Sequence, residues 1–177
     1  VCSLKIEGRM KKPEYVYGVT RAYREALDKL SRGEDPSPDE PTVRGLMQVF
    51  HRGGFSRGHA GGSEDADLIY PAFSGHEGLP LGPIRRLTRP GLAEVRVETR
   101  LGDGDLLRVG EKTLVYSGPP VEAGGIARIR APFPVQAGQR VFKQSDAALQ
   151  RAAQAAAAPR IPVTMALRAF PGEAAEL

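Results

Sequence analysis

Six short runs of residues between Leu81 and Lys143 alternate between apolar and polar side chains, and this alternation constrains the fold more than any other feature of the chain. A period of two places alternate side chains on opposite faces of a β-strand. Turn sequences rich in glycine and proline separate the runs, which favours antiparallel pairing. Because the runs are short, they predict a small antiparallel β-barrel rather than a sandwich. The predicted strands are Leu81–Leu87, Ala93–Thr99, Leu106–Val109, Thr113–Tyr116, Ile126–Ile129 and Gln139–Lys143.

The start of the chain has the pattern of a strand of a different kind. From Ser3 to Arg9 the odd positions are polar, whereas Leu4 and Ile6 are apolar, and Gly8 ends the alternation. A strand at the very start needs neighbours to pair with. We therefore expect the chain, which begins at Val1, to be an internal or C-terminal piece of a longer protein.

Two helices are predicted after this strand. The first runs from Pro13 to Ser31, with proline at its first position and Gly33 just past its end. A polar, proline-rich linker leads to a second helix from Thr42 to about Phe50. Since a strand followed directly by a helix is typical of α/β architecture, residues 1–60 predict the last strand and closing helices of a TIM-like barrel.

The end of the chain predicts a third unit. Ser145 and Asp146 cap an alanine-rich helix that extends to about Ala158, and a strand is predicted from Ile161 to Ala169. The predicted organisation is a multi-part α+β chain. It places the barrel end at residues 1–60, the small β-barrel at 61–144, and the start of a further module at 145–177.

Lys5, Glu7 and Arg9 are the candidate functional residues of the first strand. If that strand belongs to a parallel barrel, Leu4 and Ile6 face the helices, and the charged side chains face the lumen. Glu7 lies between two cations and should be ionised, so it would orient a ligand or hold a metal. Glu7 and Lys5 are the candidate catalytic residues, and Arg9 would bind an anion. The alternative is an ion-pair network that only fixes the packing of the barrel.

The glycine-dense stretch from 51 to 62 is a candidate anion site. Glycines let backbone amides approach a ligand closely, so Gly53 and Gly54 with Arg52 and Arg57 would bind a phosphate or carboxylate. No Gly-Lys-Ser/Thr sequence ends the stretch, so it is not a Walker loop. The alternative interpretation is a flexible interdomain loop.

Metal and disulfide chemistry find little support in the sequence. The three histidines, His51, His59 and His76, lack the spacing of metal ligands, and no metal is assigned to them. The single cysteine, Cys2, excludes an internal disulfide and favours a reducing, cytoplasmic location. Asp103–Asp105 predicts a hairpin turn, because the later ligands of a calcium loop are missing.

Three stretches of the chain resemble the collagenase-like peptidase family, U32. The first signature of the family resembles Ser3–Lys11 together with Pro13–Val16 and Arg21–Arg24. The second signature resembles Val49–Ser56, although asparagine usually stands in the family at the place of His51. Val141–Asp146 and Ile161–Val163 are similar to the region after the barrel in longer members, which carry an extra C-terminal module.

The resemblance implies three alternative functions for the longer protein. Some members are thought to hydroxylate a pyrimidine of ribosomal or transfer RNA, and the subgroup with the extra module is similar to the ribosomal kind. The family name implies a metal-dependent peptidase acting on peptides, and a noncatalytic module that docks RNA or protein is the third alternative. Some relatives bind an iron–sulfur cluster through four cysteines, so such a cluster or a metal is expected in the part before Val1. With one cysteine visible, Cys2 is interpreted as a small buried thiol.

The charge of the chain is compatible with an RNA partner. The net charge is +4 and the pI is near 9.4. An RNA enzyme predicts phosphate contacts from Arg52, Arg57, Arg85 and Arg86, with binding that weakens steeply as salt rises. No long apolar run or signal peptide is present, so no membrane partner is expected.

Overall fold

The computed structural model describes residues 3–51, 53–55, 75–156, 162, 164–166 and 170–172. The helices are α1 (Pro13–Ser31), α2 (Glu40–Val49) and α3 (Ala147–Ala155). The strands are β1 (Leu79–Arg89), β2 (Leu92–Arg96), β3 (Leu106–Val109), β4 (Lys112–Val115), β5 (Ile126–Arg130) and β6 (Arg140–Ser145).

All six strands form one antiparallel sheet in the order β4-β3-β6-β1-β2-β5. The six predicted strands are therefore confirmed, each with ends within three residues of those observed. The sheet curls into a half-barrel and does not close. Closure would require the edge strands β4 and β5 to pair, and they stand at opposite ends of the sheet order.

The hydrophobic core lies on the inner face of the curled sheet. The side chains of Leu81, Val95, Leu107 and Val141 come from four different strands and are at most 1% exposed. Leu101, from the loop after β2, is fully buried with them. The period of two thus delivers one face of every strand to a shared core.

Two glycines allow β1 to approach its neighbours closely. Gly78 and Gly82 have φ values of +81° and +125°, which only glycine adopts readily. A Cβ atom at Gly78 would lie 2.6 Å from the carbonyl oxygen of Lys143, and one at Gly82 would collide with the carbonyl oxygen of Arg96. Glycine at both positions therefore lets the backbone of β1 pass close to β6 and β2.

A buried ion cluster ties β6 to the loop before β3 and to the start of α3. Lys143 Nζ lies 2.8 Å from Asp105 Oδ2 and 2.7 Å from Asp146 Oδ2, and it also donates to the carbonyl oxygen of Arg100 at 3.0 Å. Burial opposes ionisation of Asp146, but the hydrogen bonds from Lys143 and from the Leu149 N–H hold the pKa of that carboxyl below its usual value. The cluster satisfies a lysine that is only 4% exposed.

Helix α2 packs on the central strands β6 and β1, and α1 packs on α2 and α3. The predicted bounds of α1 are confirmed, and α2 begins two residues before and ends one residue before its predicted limits. Asp146 caps α3 by accepting a hydrogen bond from the Leu149 N–H at 2.8 Å, as predicted. α3 packs on α1, where Gln150 Nε2 donates to Glu14 Oε1 at 3.1 Å.

The predicted first strand is absent from residues 3–8, which have no regular secondary structure. A strand is stable only when a neighbour pairs its backbone groups, and the strands found in the described part of the chain all lie between residues 79 and 145. The end of a TIM-like barrel is therefore not confirmed.

Several sequence predictions fall outside the described residues. These are the assignments for Cys2, Arg52, Arg57 and His59, and most of the strand predicted from Ile161 to Ala169. They stay predictions, as do the boundaries of the three predicted units. Helix α3, in contrast, is described to its end at Ala155, about three residues short of its predicted limit, because Ala156 has an extended backbone.

Candidate functional site

The candidate catalytic residues of the signature segment lie in solvent. Lys5 Nζ and Glu7 Oε1 form an ion pair of 2.8 Å, with side chains 85% and 73% exposed. Arg9 is also exposed, in the turn that the Lys11 N–H closes on the Gly8 carbonyl. The lumenal position expected for these charges is thus not observed, because no barrel strand forms here. Their catalytic role stays a prediction.

The two signature segments nevertheless meet in space. Lys11 Nζ, from the first segment, lies 3.1 Å from the ring centroid of Phe50 in the second segment. The rings of Tyr15 and Phe50 meet edge to face at 6.3 Å, and Phe50 stacks on His76 at 5.9 Å. Aromatic and cation–π contacts therefore hold together two signature segments that are far apart in the sequence.

Hydrogen bonds fix the tautomers of two histidines behind this contact. The ring Nδ1 of His76 accepts the His51 backbone N–H at 3.2 Å, so its Nε2 carries the proton that it shares with the Gln48 carbonyl oxygen at 3.0 Å. His51 Nε2 lies 3.0 Å from the Gly78 carbonyl oxygen, which is an acceptor only, so Nε2 donates. Burial lowers the pKa of His76. Both rings thus link the end of α2 to the segment that leads into β1.

Within the described part of the chain, two polar atoms of this junction are buried without a hydrogen-bond partner. Gln48 is 6% exposed and donates through Nε2 to the Lys143 carbonyl oxygen at 3.1 Å, but among the described residues nothing donates to its Oε1. The Nδ1 atom of His51, a residue only 4% exposed, likewise has no partner among these residues. An open cavity of about 410 Å³ lies beside the junction. Its lining includes Lys11, Gln48, Phe50, His76 and Gln144.

The glycines of the candidate anion loop have the backbone conformation that requires glycine. Gly53 has a φ of +73° and Gly54 a φ of +130°. A Cβ atom at Gly54 would meet nothing within 4 Å, so the conformation, rather than a lack of space, explains the residue. The anion site itself stays a prediction, since both of its arginines lie outside the described residues.

A second candidate site lies on the outer face of the sheet. We call it the arginine face. Register places Arg86 opposite Glu94 and Glu94 opposite Arg128, so these side chains share one side of β1, β2 and β5. Arg96 and Arg130 lie two positions further along β2 and β5, and so on the same side. A register shift between Leu87 and Arg89 brings Arg89 of β1 to this side as well, opposite Leu92. All of its arginines are exposed, and they are Arg86, Arg89, Arg96, Arg128 and Arg130.

One carboxylate organises the centre of the arginine face. Glu94 Oε2 accepts from Arg86 Nε at 2.7 Å, and its Oε1 accepts from Arg128 Nε at 3.3 Å. The hydrogen bond from Arg86 holds the pKa of Glu94 below its usual value. The Glu94 side chain is 8% exposed, whereas those of Arg86 and Arg128 are 70% and 72% exposed. The carboxylate thus lies beneath two guanidiniums that remain open to solvent.

The sequence predicts part of this surface. It predicts phosphate contacts from Arg86 and from Arg85, which is exposed beside it in β1. The other four arginines of the face are not predicted, although alternation with apolar residues in β2 and β5 places three of them on one face; the four are Arg89, Arg96, Arg128 and Arg130. The buried pair Gln48 and His51 carried no comparable signal.

Within the described ranges, no group of three or more histidine, cysteine, aspartate or glutamate side chains is arranged to hold a metal ion. The described residues therefore supply no ligand set for the iron–sulfur cluster or metal expected from the resemblance. The helices in these ranges also lack the length and apolar character needed to cross a membrane.

Comparison with known proteins matches the N-terminal part of the chain to a family model. The model is that of peptidase family U32, and it matches residues 1–69. Two curated proteins named collagenase, one from Porphyromonas gingivalis strain W83 and one from Porphyromonas gingivalis, are each 34% identical to the chain over 122 residues. The alignments cover 65% of this chain but only 27% and 31% of those proteins. No solved structure matches the chain.

The family model covers both signature segments, and the structure brings Lys11 and Tyr15 of one into contact with Phe50 of the other. The collagenase alignments extend the similarity to about two thirds of the chain. On these findings, residues 1–69 match peptidase family U32, and the chain is similar to the two collagenases over 65% of its length.

Proposed function

We propose that this chain is part of an RNA-modifying member of family U32, one that hydroxylates a pyrimidine base in ribosomal or transfer RNA, and that this segment binds the RNA. The arginine face is the observation that carries the proposal. β1, β2 and β5 contain six arginines and a single carboxylate, and that carboxylate is neutralised by Arg86 and Arg128. Arginine guanidiniums bind phosphate through paired hydrogen bonds.

Two parts of the chain have different roles in the proposed function. The arginine face positions the RNA backbone, and phosphate contacts of this kind fix register without reading sequence. The cavity beside His76 and Phe50 is lined in part by the signature region, which is the part of the chain that contains both signature segments and helices α1 and α2. In this proposal Lys5 and Glu7 of that region act in catalysis, and Arg9 binds an anion. The expected iron–sulfur cluster or metal would supply the redox chemistry when bound.

The experiment is an RNA-binding measurement on the 177-residue chain. Fluorescence anisotropy with labelled fragments of ribosomal RNA is recorded over a salt series. The Arg86→Ala/Arg128→Ala variant is expected to bind more weakly and with a smaller salt dependence than the unmodified chain, because two phosphate contacts are lost. A matched control, Arg24→Ala/Arg44→Ala, removes the same charge from exposed positions in α1 and α2. Equal weakening by both variants, or no binding at low salt, would contradict the proposal.

A peptidase is the second candidate function, because the curated relatives are named collagenase. It predicts metal-dependent cleavage of a collagen-like peptide that RNA does not affect. The same chain is incubated with such a peptide with and without divalent metal ions. Cleavage that requires Glu7, tested with Glu7→Gln, would favour the peptidase. A third possibility, a noncatalytic docking segment, is compatible with RNA binding here and catalysis elsewhere in the longer protein.

A further inference from the structure

We infer that the partner of the arginine face is double-helical RNA, bound through its phosphate backbone, rather than a single strand bound through its bases. This inference rests on the proposed RNA function and narrows it to one class of RNA. Three features of the face carry it: the arrangement of the arginines, the composition of the strands, and the position of Glu94.

Four of the five arginines form two columns on the strands that flank β2, whereas the fifth, Arg96 on β2, donates to the Gly124 carbonyl oxygen at 3.3 Å. Arg86 and Arg89 lie on β1, whereas Arg128 and Arg130 lie on β5. Since β2 separates them, the backbones of the two columns are about 10 Å apart. A single strand presents one row of phosphates. A-form RNA presents two rows that face each other across a deep, narrow major groove. Two parallel columns of guanidiniums therefore suit the double helix better.

The strands of the face offer no aromatic side chain on which bases could stack. None of β1, β2 and β5 contains a phenylalanine, tyrosine or tryptophan. Proteins that bind single-stranded RNA rely on aromatic side chains, on which successive bases stack. The neighbouring strand β6 does carry Phe142, but Arg108 and Arg140 lie over this ring at 4.5 Å and 5.8 Å. The face is thus equipped for phosphates and poorly equipped for bases.

Glu94 acts as a positioning residue between the columns. It accepts one hydrogen bond from each column through the Nε atoms of Arg86 and Arg128, which sets the direction of both guanidiniums. A surface that attracted RNA by charge alone would gain affinity if this carboxylate were neutralised. A surface that depends on the geometry of two columns would lose its preference for the double helix.

The test compares a 16-base-pair RNA duplex of arbitrary sequence with each of its single strands on the 177-residue chain. The duplex is expected to bind about tenfold more tightly at moderate salt. Arg86→Ala/Arg89→Ala and Arg128→Ala/Arg130→Ala each remove one column. Each is expected to lower the slope of log affinity against log salt by about 2 and to abolish most of the duplex preference. A DNA duplex of the same sequence tests whether A-form geometry is required.

Glu94→Gln separates geometry from charge. It is expected to reduce the ratio of duplex to single-strand affinity, although it adds one unit of net positive charge. The control Glu111→Gln changes the charge equally in the exposed turn between β3 and β4, at the other edge of the sheet, and should leave the ratio unchanged.

The outcomes distinguish this inference from the proposed function. Tighter binding of the single strands, or column variants that weaken both RNA forms equally, would overturn the inference and leave RNA binding in place. Absence of binding to every RNA at low salt would overturn the proposed function as well. The column variants replace exposed side chains, so they test the inference even if Glu94→Gln fails to fold.

Discussion

The sheet and the signature region of this protein differ sharply in how much they bury. Strands β1 to β6 enclose a core whose central side chains, such as Leu81 and Leu107, are fully inaccessible. In contrast, α1 contributes no buried residue, and α2 contributes only Gln48. The apolar side chains Leu27 and Leu30 of α1 are 44% and 59% exposed. The part of the chain that matches the family model is therefore not the part that holds the described structure together.

This difference separates stability from family identity. Hydrophobic burial is the main favourable term in folding, and here it resides in the sheet. The signature region is attached to that sheet by a few polar and aromatic contacts, chiefly those of Gln48, His51 and His76. Substitutions in the two regions should then affect stability very differently, and four measurements test this.

The largest effect is expected from Lys143 in the buried ion cluster. Lys143→Ala leaves Asp105 and Asp146 without their shared cation, which should lower the free energy of unfolding by about 3–5 kcal/mol. Urea unfolding followed by circular dichroism measures it. The control Lys112→Ala, on edge strand β4, should cost less than about 1 kcal/mol. Similar losses for both variants would show that the cluster is not a central element of the sheet.

A direct comparison of the two regions uses the same substitution in each. Leu107→Ala removes a fully buried side chain from β3 and should cost about 2–5 kcal/mol. Leu27→Ala removes a half-exposed side chain from α1 and should change the free energy of unfolding by about 0.5 kcal/mol or less. Equal losses in urea unfolding would mean that α1 belongs to the same core, contrary to the comparison drawn above.

Glycine substitutions should have opposite signs in the two regions. Gly82→Ala puts a Cβ atom against the Arg96 carbonyl at a φ of +125°, and a loss of about 2 kcal/mol is expected. Gly45→Ala lies in α2 with nothing within 4 Å of the new atom, and it should stabilise the protein by about 0.5–1 kcal/mol. Midpoints of thermal unfolding measure both. A stabilised Gly82→Ala would show that β1 does not need its close approach to β2.

The smallest effect concerns the junction and its pH dependence. Burial places the pKa of His76 below its ordinary value, so the folded protein holds this ring neutral at pH values where the unfolded chain protonates it. The unfolded state then binds more protons, and the free energy of unfolding should fall as the pH drops below about 6.5. His76→Gln should flatten this part of the curve. Parallel curves for the two proteins would exclude His76 as the source.

The local patterns of the sequence predicted most of the elements. Proline at the start of α1 and Gly33 after its end define that helix, because proline fits the first turn and glycine the position past the last. Alternation located all six strands. The half-barrel was not predicted, since closure depends on whether β4 meets β5, a long-range property on which a period of two is silent. Ser3–Gly8 shows the same limit, because alternation without a pairing partner gives no strand.

The candidate site was predicted less completely than the fold. Arg86 was identified from its charge, but the arginine face depends on the register that aligns β1, β2 and β5. The role of Glu94 is likewise invisible until Arg86 and Arg128 are known to flank it. The alternation predicts Lys143 only as a strand residue, since its partners Asp105 and Asp146 lie in a loop and a helix cap. Pairing across the sheet, rather than composition, decides which charges act together.

The position of β6 has a consequence for how the protein is made. This strand is the last of the six to be synthesised, yet it lies in the middle of the sheet, between β3 and β1. Until Arg140–Ser145 has left the ribosome, β1-β2-β5 and β3-β4 are two separate ribbons, each with an unpaired edge. The edges of these two incomplete sheets therefore stay unpaired, and open to pairing with other strands, until a six-residue segment joins them. Because this last step depends on non-local contacts, we expect folding to be completed late and slowly.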